Sequence, residues 1–241
     1  MSGHSKWSKI KHQKGVTDAK RGQLFTKLTR EIIVAVREGG SDADTNYRLR
    51  LAVQEARDNN MPMENIDRAI RKGSGETEGT NLIEMTIEGY GPGGAAILVQ
   101  ALTDNRNRTV QDIRNVFSRH GGSLGGSGSV AWLFEPKGLI TVKANNMNTE
   151  ELTLQAIDAG ADDIITVEKD YLEIHTKPDQ LELVRRALTE RKIPVESAKL
   201  AVLPKSTIPL EEKASMQTLK LLDKLDELDE VQNVNSNVDF S

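Results

Sequence analysis

The chain contains no cysteine. That removes disulfide staples, thiolate zinc sites and cysteine nucleophiles together. There are four histidines (His4, His12, His120 and His175), and none stands in a recognisable hydrolase or metal-site spacing. No apolar run approaches the roughly 20 residues that a membrane-spanning helix needs. The first residues lack the apolar stretch of a secretory signal, and they are rich in lysine rather than in the arginine of a mitochondrial transit peptide. These absences point to a cytoplasmic protein with no membrane partner. They call for no catalytic residue, no metal and no cofactor.

What is present is a lopsided charge distribution. The formal net charge is −4. Residues 1–75 hold 15 Lys and Arg against 9 Asp and Glu, so the acidic excess lies entirely in the remainder. Up to Arg30 there are eight cations (Lys6, Lys9, Lys11, Lys14, Lys20, Arg21, Lys27 and Arg30) against one acid, Asp18. A basic segment on an acidic body suggests a surface for polyanions, above all nucleic acid. A basic domain docking on its own acidic body, or a scaffold that recognises acidic protein, is the competing explanation.

Residues 2–14 show no apolar periodicity and are expected to form an arm. Lys6, Lys9, Lys11 and Lys14 suit phosphate contact. Trp7 suits either stacking on an exposed base or anchoring the arm. His4 and His12 have no neighbouring acid or cysteine to complete a metal site, so hydrogen bonding or phosphate contact is expected of them. From Thr17 the pattern turns helical: Leu24, Leu28, Ile32 and Val36 recur at i+4, with Gly39-Gly40 as the stop. Further helices are expected over 44–58, ended by Asn59-Asn60, and after Pro62, closed by Gly73-Ser74-Gly75. A helix-turn-helix can be drawn through 44–72 with Arg68, Arg71 and Lys72 on its last helix, although plain bundles satisfy the same drawing.

After residue 80 the period shortens. Strands are expected at 83–89, 95–102 and 130–134, with a helix from Thr109 to Arg119 between them. The polar stretch Thr103-Asp104-Asn105-Arg106-Asn107-Arg108-Thr109 places Arg106 and Arg108 just before that helix, where free N–H groups also favour anions. It is a second candidate polyanion contact, and surface ion pairing is its alternative. The glycine-rich stretch 121–129 lacks the Gly-Lys-Ser/Thr ending of a nucleotide-hydrolysing loop and runs into a strand, so it reads as a connection or a contact loop. Residues 137–204 read β-α-β-β-α-β, a ferredoxin-like order. A helix over 211–230 can complete the unit before it, and 233–241 reads as a loose tail.

The expected fold is therefore α+β: an N-terminal three-helix domain (1–75), a middle α/β domain (80–134 plus 205–241), and a second ferredoxin-like α/β domain (135–204) inserted into it. Several motifs resemble the YebC family: Gly3-His4-Ser5-Lys6-Trp7, Asp18-Ala19-Lys20-Arg21-Gly22, Tyr90-Gly91-Pro92-Gly93-Gly94, the Thr103–Thr109 stretch and Gly128-Ser129-Val130-Ala131-Trp132. The resemblance covers nearly the whole chain. It implies three domains enclosing a cleft, and a cytoplasmic regulator of gene expression with no known catalysis. Family members are described as DNA-binding transcription regulators and as factors acting on the ribosome, with mitochondrial relatives that activate translation of cytochrome oxidase. The expected partners are thus DNA or ribosomal RNA, and with it the ribosome. The residues expected to contact nucleic acid are Lys6, Trp7, Lys9, Lys11, His12, Lys14, Lys20, Arg21, Lys27, Arg106 and Arg108.

Overall fold

The computed structural model describes residues 18–76, 81–143, 148–168 and 171–240. The fold is α+β, with three helices ahead of two four-stranded sheets among the described residues. The described residues divide into two compact units, one of residues 18–132 and 210–236, the other of 133–209 and 237–240.

The first unit begins with α1 (Asp18–Gly39), whose stripe buries Leu28, Ile32, Ile33 and Val36. Gly40 takes a positive φ of 86° and its N–H returns to the Val36 carbonyl at 2.8 Å, closing the helix. Asn46 then joins α1 to α2 (Tyr47–Asp58). Its Oδ1 accepts the Leu49 N–H at 3.0 Å as an N-cap, while its Nδ2 donates to the carbonyls of Ala35 and Gly40 at 2.6 and 2.7 Å. One buried amide thus bonds three backbone groups across the turn. α2 buries Leu49, Ala52, Val53 and Ala56. α3 (Met63–Ser74) starts after Pro62 and ends at Gly75, again left-handed with φ 84°. It lies tight on α1 because of Gly73: a Cβ there would stand 2.7 Å from Val36 Cβ and 2.9 Å from the Ile33 carbonyl.

The hairpin β1 (Ile83–Tyr90) and β2 (Ala96–Thr103) pairs in register from Ile83↔Thr103 to Tyr90↔Ala96. α4 (Arg106–Arg119) buries Ile113 and Phe117. β3 (Ser123–Leu124) adds to β1. After the second unit, α7 (Glu212–Asp226) buries Leu221, Leu222 and Leu225, and β9 (Val231–Ser236) pairs antiparallel with β2. The sheet order is β3-β1-β2-β9. Arg48 of α2 ties the bundle to this sheet, reaching Glu31 and Glu38 of α1 and Glu84 of β1. Burial opposes its charge, but those three carboxylates outweigh it and raise the guanidinium pKa.

Two expectations fail here. Residues 130–134 do not form a strand of the first sheet: Ala131–Leu133 is a short 3-10 turn. Phe134 instead opens β4 (Phe134–Lys143), one continuous strand of the second unit. Pro136 and Gly138 lie inside this strand. In the fold, β4 pairs with β7 (Val195–Pro204) along Phe134–Val142 but with β6 (Tyr171–Thr176) only from Gly138 onward. Pro136 therefore has a ladder on one side alone, where its missing N–H is harmless. Gly138 is needed because a Cβ would stand 2.2 Å from Thr176 Oγ1. Nor is the C-terminus a loose tail. Val234, Asn235 and Ser236 are buried in β9, and β10 (Val238–Asp239) runs parallel to β8 (Ile208–Pro209) with Val238 and Phe240 buried. Its Asn-rich composition argues against a strand, and burial against β2 overrides that weak preference.

The second unit holds β4, α5 (Thr149–Asp158), β5 (Asp163–Glu168), β6 (Tyr171–Thr176), α6 (Leu181–Glu190) and β7 (Val195–Pro204). The sheet order β5-β6-β4-β7, with every neighbour antiparallel, is the ferredoxin-like arrangement expected from the element order.

Candidate nucleic-acid interface

The cations of α1 divide by the helical period into two groups. Lys20 and Arg21 are exposed. Lys27 faces inward and is buried, its Nζ donating to the Asp226 carbonyl at 2.5 Å and to Asp226 Oδ1 at 3.1 Å. Gln23 donates to the Glu227 carbonyl, and Arg30 donates to the Asp229 carbonyl and lies 3.7 Å from Glu230. Together they receive the C-terminal end of α7, whose last carbonyls have no helical partner and carry partial negative charge. Lys27 is thus engaged inside the first unit, unlike the exposed Lys20 and Arg21 with which the sequence groups it. The sequence could not separate it from Lys20, because its partner is Asp226 at the far end of the chain.

The Thr103–Thr109 stretch forms a helix cap. Thr103 Oγ1 accepts the Asn105 N–H at 2.9 Å, Asn105 Oδ1 accepts the Arg108 N–H at 3.1 Å, and the buried Thr109 hydroxyl donates to Thr103 Oγ1 at 2.8 Å. The helix therefore starts at Arg106 rather than Thr109, and Arg106 and Arg108 lie inside its first turn. Cations are disfavoured at that end by roughly 0.3–1 kcal/mol each. Arg108 is compensated by Asp104 at 2.8 Å and Glu230 at 3.1 Å, which raise its pKa, Asp104 more strongly. Arg106 is exposed and has no ion pair among the described residues. Arginine and free N–H groups thus converge where an anion is best received.

Between α1 and α3 lies a cavity of about 450 Å³. Phe25, Ile33, Ala69 and Leu82 supply its apolar lining. Arg30, Arg68 and Lys72 supply cations, and Asp104 brings the cap of α4 to its edge. Arg68 and Lys72, one helical turn apart on α3, have no ion-pair partner among the described residues. In the sequence these two appear only as part of a helix-turn-helix drawing. Their i, i+4 spacing was the available signal, but nothing local says that the stripe faces α1. The arm residues Lys6, Trp7, Lys9, Lys11, His12 and Lys14 lie outside the described residues.

At the end of the glycine-rich loop, three N–H groups turn inward to a carboxylate. Glu88, buried on β1, accepts the N–H groups of Gly128 at 2.6 Å, Val130 at 2.6 Å and Ala131 at 2.7 Å. Burial alone would push this carboxyl up, but the N–H donors hold it below the usual carboxylate range. An internal carboxylate thus occupies the place where a phosphate would sit in an anion-binding nest.

Known proteins resemble the chain over nearly its whole length. The family profile described as "TACO1/YebC protein N-terminal domain" matches residues 5–76, and "TACO1/YebC second and third domain" matches residues 82–238. A "probable transcriptional regulatory protein" of Dehalococcoides mccartyi is 58% identical, covering 100% of this chain and 95% of that protein. Another so named, from Natranaerobius thermophilus, is 48% identical, covering 99% and 96%. The crystal structure of a conserved hypothetical protein from Aquifex aeolicus superposes with a TM-score of 0.87 at 48% identity, covering 95% of this chain and 94% of that one.

Proposed function

The chain belongs to the TACO1/YebC family, and on that premise we propose that it is a non-enzymatic regulator of gene expression that binds nucleic acid through its basic N-terminal 75 residues. The observation that carries this reading is the meeting of Arg30 on α1 with Arg68 and Lys72 on α3 in one cavity. Phosphate contacts by lysine and arginine supply most non-specific affinity for nucleic acid. The basic arm, Lys20 and Arg21 extend the same charge along the chain.

The relatives' names favour DNA and transcription. One observation favours a second reading, binding to RNA at the ribosome. Arg68 and Lys72 line a cavity against α1 instead of standing on a free helix that could enter a major groove. Specific RNA recognition works through pockets for unpaired bases more than through groove-filling helices.

The test is direct binding to duplex DNA, structured RNA and ribosomes over a range of salt, followed by crosslinking in cells. Promoter DNA enriched without ribosomal RNA supports the transcription reading. Ribosomal RNA enriched without promoter DNA supports the translation reading. Binding to none of the three at low salt defeats both.

A further inference from the structure

The cavity between α1 and α3 has a more specific chemistry than a phosphate-tracking surface. We infer that it receives one unpaired nucleotide of a single strand, base inward and phosphate on Arg68 and Lys72. The inference rests on the nucleic-acid reading above and adds the unit of ligand that the site takes.

The volume, about 450 Å³, is of the order of small-ligand pockets, about 300–1,000 Å³, and far too small for a duplex. The lining is divided in the way a nucleotide is divided. Phe25, Ile33, Ala69 and Leu82 offer the apolar and aromatic surface that a base face needs. Asn65 can both donate to and accept from a base edge. Asp104 spends Oδ1 on Arg108 at 2.8 Å, leaving its other oxygen as an acceptor.

The cations decide the sign of the occupant. Arg30 is held by the Asp229 carbonyl and Glu230, whereas Arg68 and Lys72 have no ion-pair partner among the described residues. An anionic group is therefore the occupant that these two cations favour. Lys6, Lys9, Lys11 and Lys14 carry the same charge as the site and supply no such group. A purely apolar peptide would leave two cations desolvated and uncompensated. A nucleotide satisfies both halves, and it must be unpaired, since only an unstacked base exposes its face and edge to the lining.

The test uses the full chain and two variants, Phe25→Ala and the double charge reversal Arg68→Glu with Lys72→Glu, with Arg114→Glu on α4 as the control. Thermal unfolding first establishes that each is folded. The probes are a single-stranded RNA oligonucleotide, a duplex of the same length, uridine monophosphate and inorganic phosphate. The inference expects both cavity variants to weaken single-strand binding at least ten-fold while duplex binding changes less than three-fold. It expects uridine monophosphate, more than phosphate, to shift the amide resonances of Phe25–Arg30 and Asn65–Lys72 in the wild type, and not in the charge-reversed variant. Wild-type single-strand binding that survives both variants within two-fold overturns the nucleotide site and leaves the wider reading standing. Failure of the wild type to bind any nucleic acid overturns the wider reading first. Equal shifts with phosphate and with uridine monophosphate show an anion site only and overturn the base-binding half.

Discussion

Arg108 and Arg30, on different helices, converge on Glu230: Arg108 Nη2 lies 3.1 Å from its Oε1 and Arg30 Nη2 lies 3.7 Å from the same atom. One carboxylate thus restrains two arginines at the edge of the basic cavity. Replacing it by Glu230→Gln removes the competing charge. Nucleic-acid affinity is expected to rise about two- to five-fold at low salt. Stability should fall by no more than about 1 kcal/mol, as for other partly exposed pairs. Fluorescence anisotropy with a labelled oligonucleotide, beside a urea titration, checks both; weaker binding would contradict the placement of Glu230 as a competitor.

Lys20 and Lys27 should separate binding from stability. Lys27→Ala leaves Asp226 without its buried partner and is expected to destabilise the fold by about 1–3 kcal/mol. Lys20→Ala touches nothing internal, and its effect on stability is expected to stay within about 0.5 kcal/mol while binding weakens. The reverse assignment of effects, in denaturant and binding curves of the same two proteins, would place Lys27 back on the surface.

The arm can be weighed by its counterions. Replacing Lys6, Lys9, Lys11 and Lys14 by alanine removes up to four phosphate contacts. The slope of log K against log salt should become shallower by up to about 3.6 for duplex DNA and about 2.8 for a single strand. An unchanged slope would mean that the arm makes no phosphate contact.

Glu88 makes the glycine-rich loop sensitive to acid. Its folded pKa lies below the ordinary carboxylate value of about 4.3, so the unfolded chain binds the proton more readily. The stabilisation is complete above that unfolded value and is lost as the pH falls through the lower folded one. Amide exchange at Gly128, Val130 and Ala131 should accelerate in that acidic window. In Glu88→Gln it should already be fast at neutral pH, with about 1–3 kcal/mol of stability lost.

Gly73→Ala tests the close approach of α3 to α1. The new Cβ meets Val36 Cβ at 2.7 Å, so the helices must separate. A loss of about 1–3 kcal/mol in urea is expected, against the small gain that alanine gives in an open helix.

Local pattern carried a large part of the fold. The helical stripes, the Asn59-Asn60 break, the β1–β2 hairpin and the ferredoxin-like order of the second unit follow from periods and turn residues within short windows. The basic excess up to Arg30 is equally local, and it pointed to the first unit as the place to look. The failures have a common cause. Residues 130–134 read as a strand of the first sheet until Phe134 is seen paired with β7, and 233–241 reads as a tail until β2 is beside it.

What the sequence determined by itself is which short segments can fold and where positive charge is stored, because backbone preference and charge belong to the residues. Which of those charges face solvent was decided only by tertiary structure. Lys27 is consumed by Asp226, Arg30 and Arg108 are restrained by Glu230, and Arg68 and Lys72 line a cavity that exists only because α3 lies against α1. A charge is available only when no opposite charge has been folded against it, and every one of those partners arrives from a distant part of the chain.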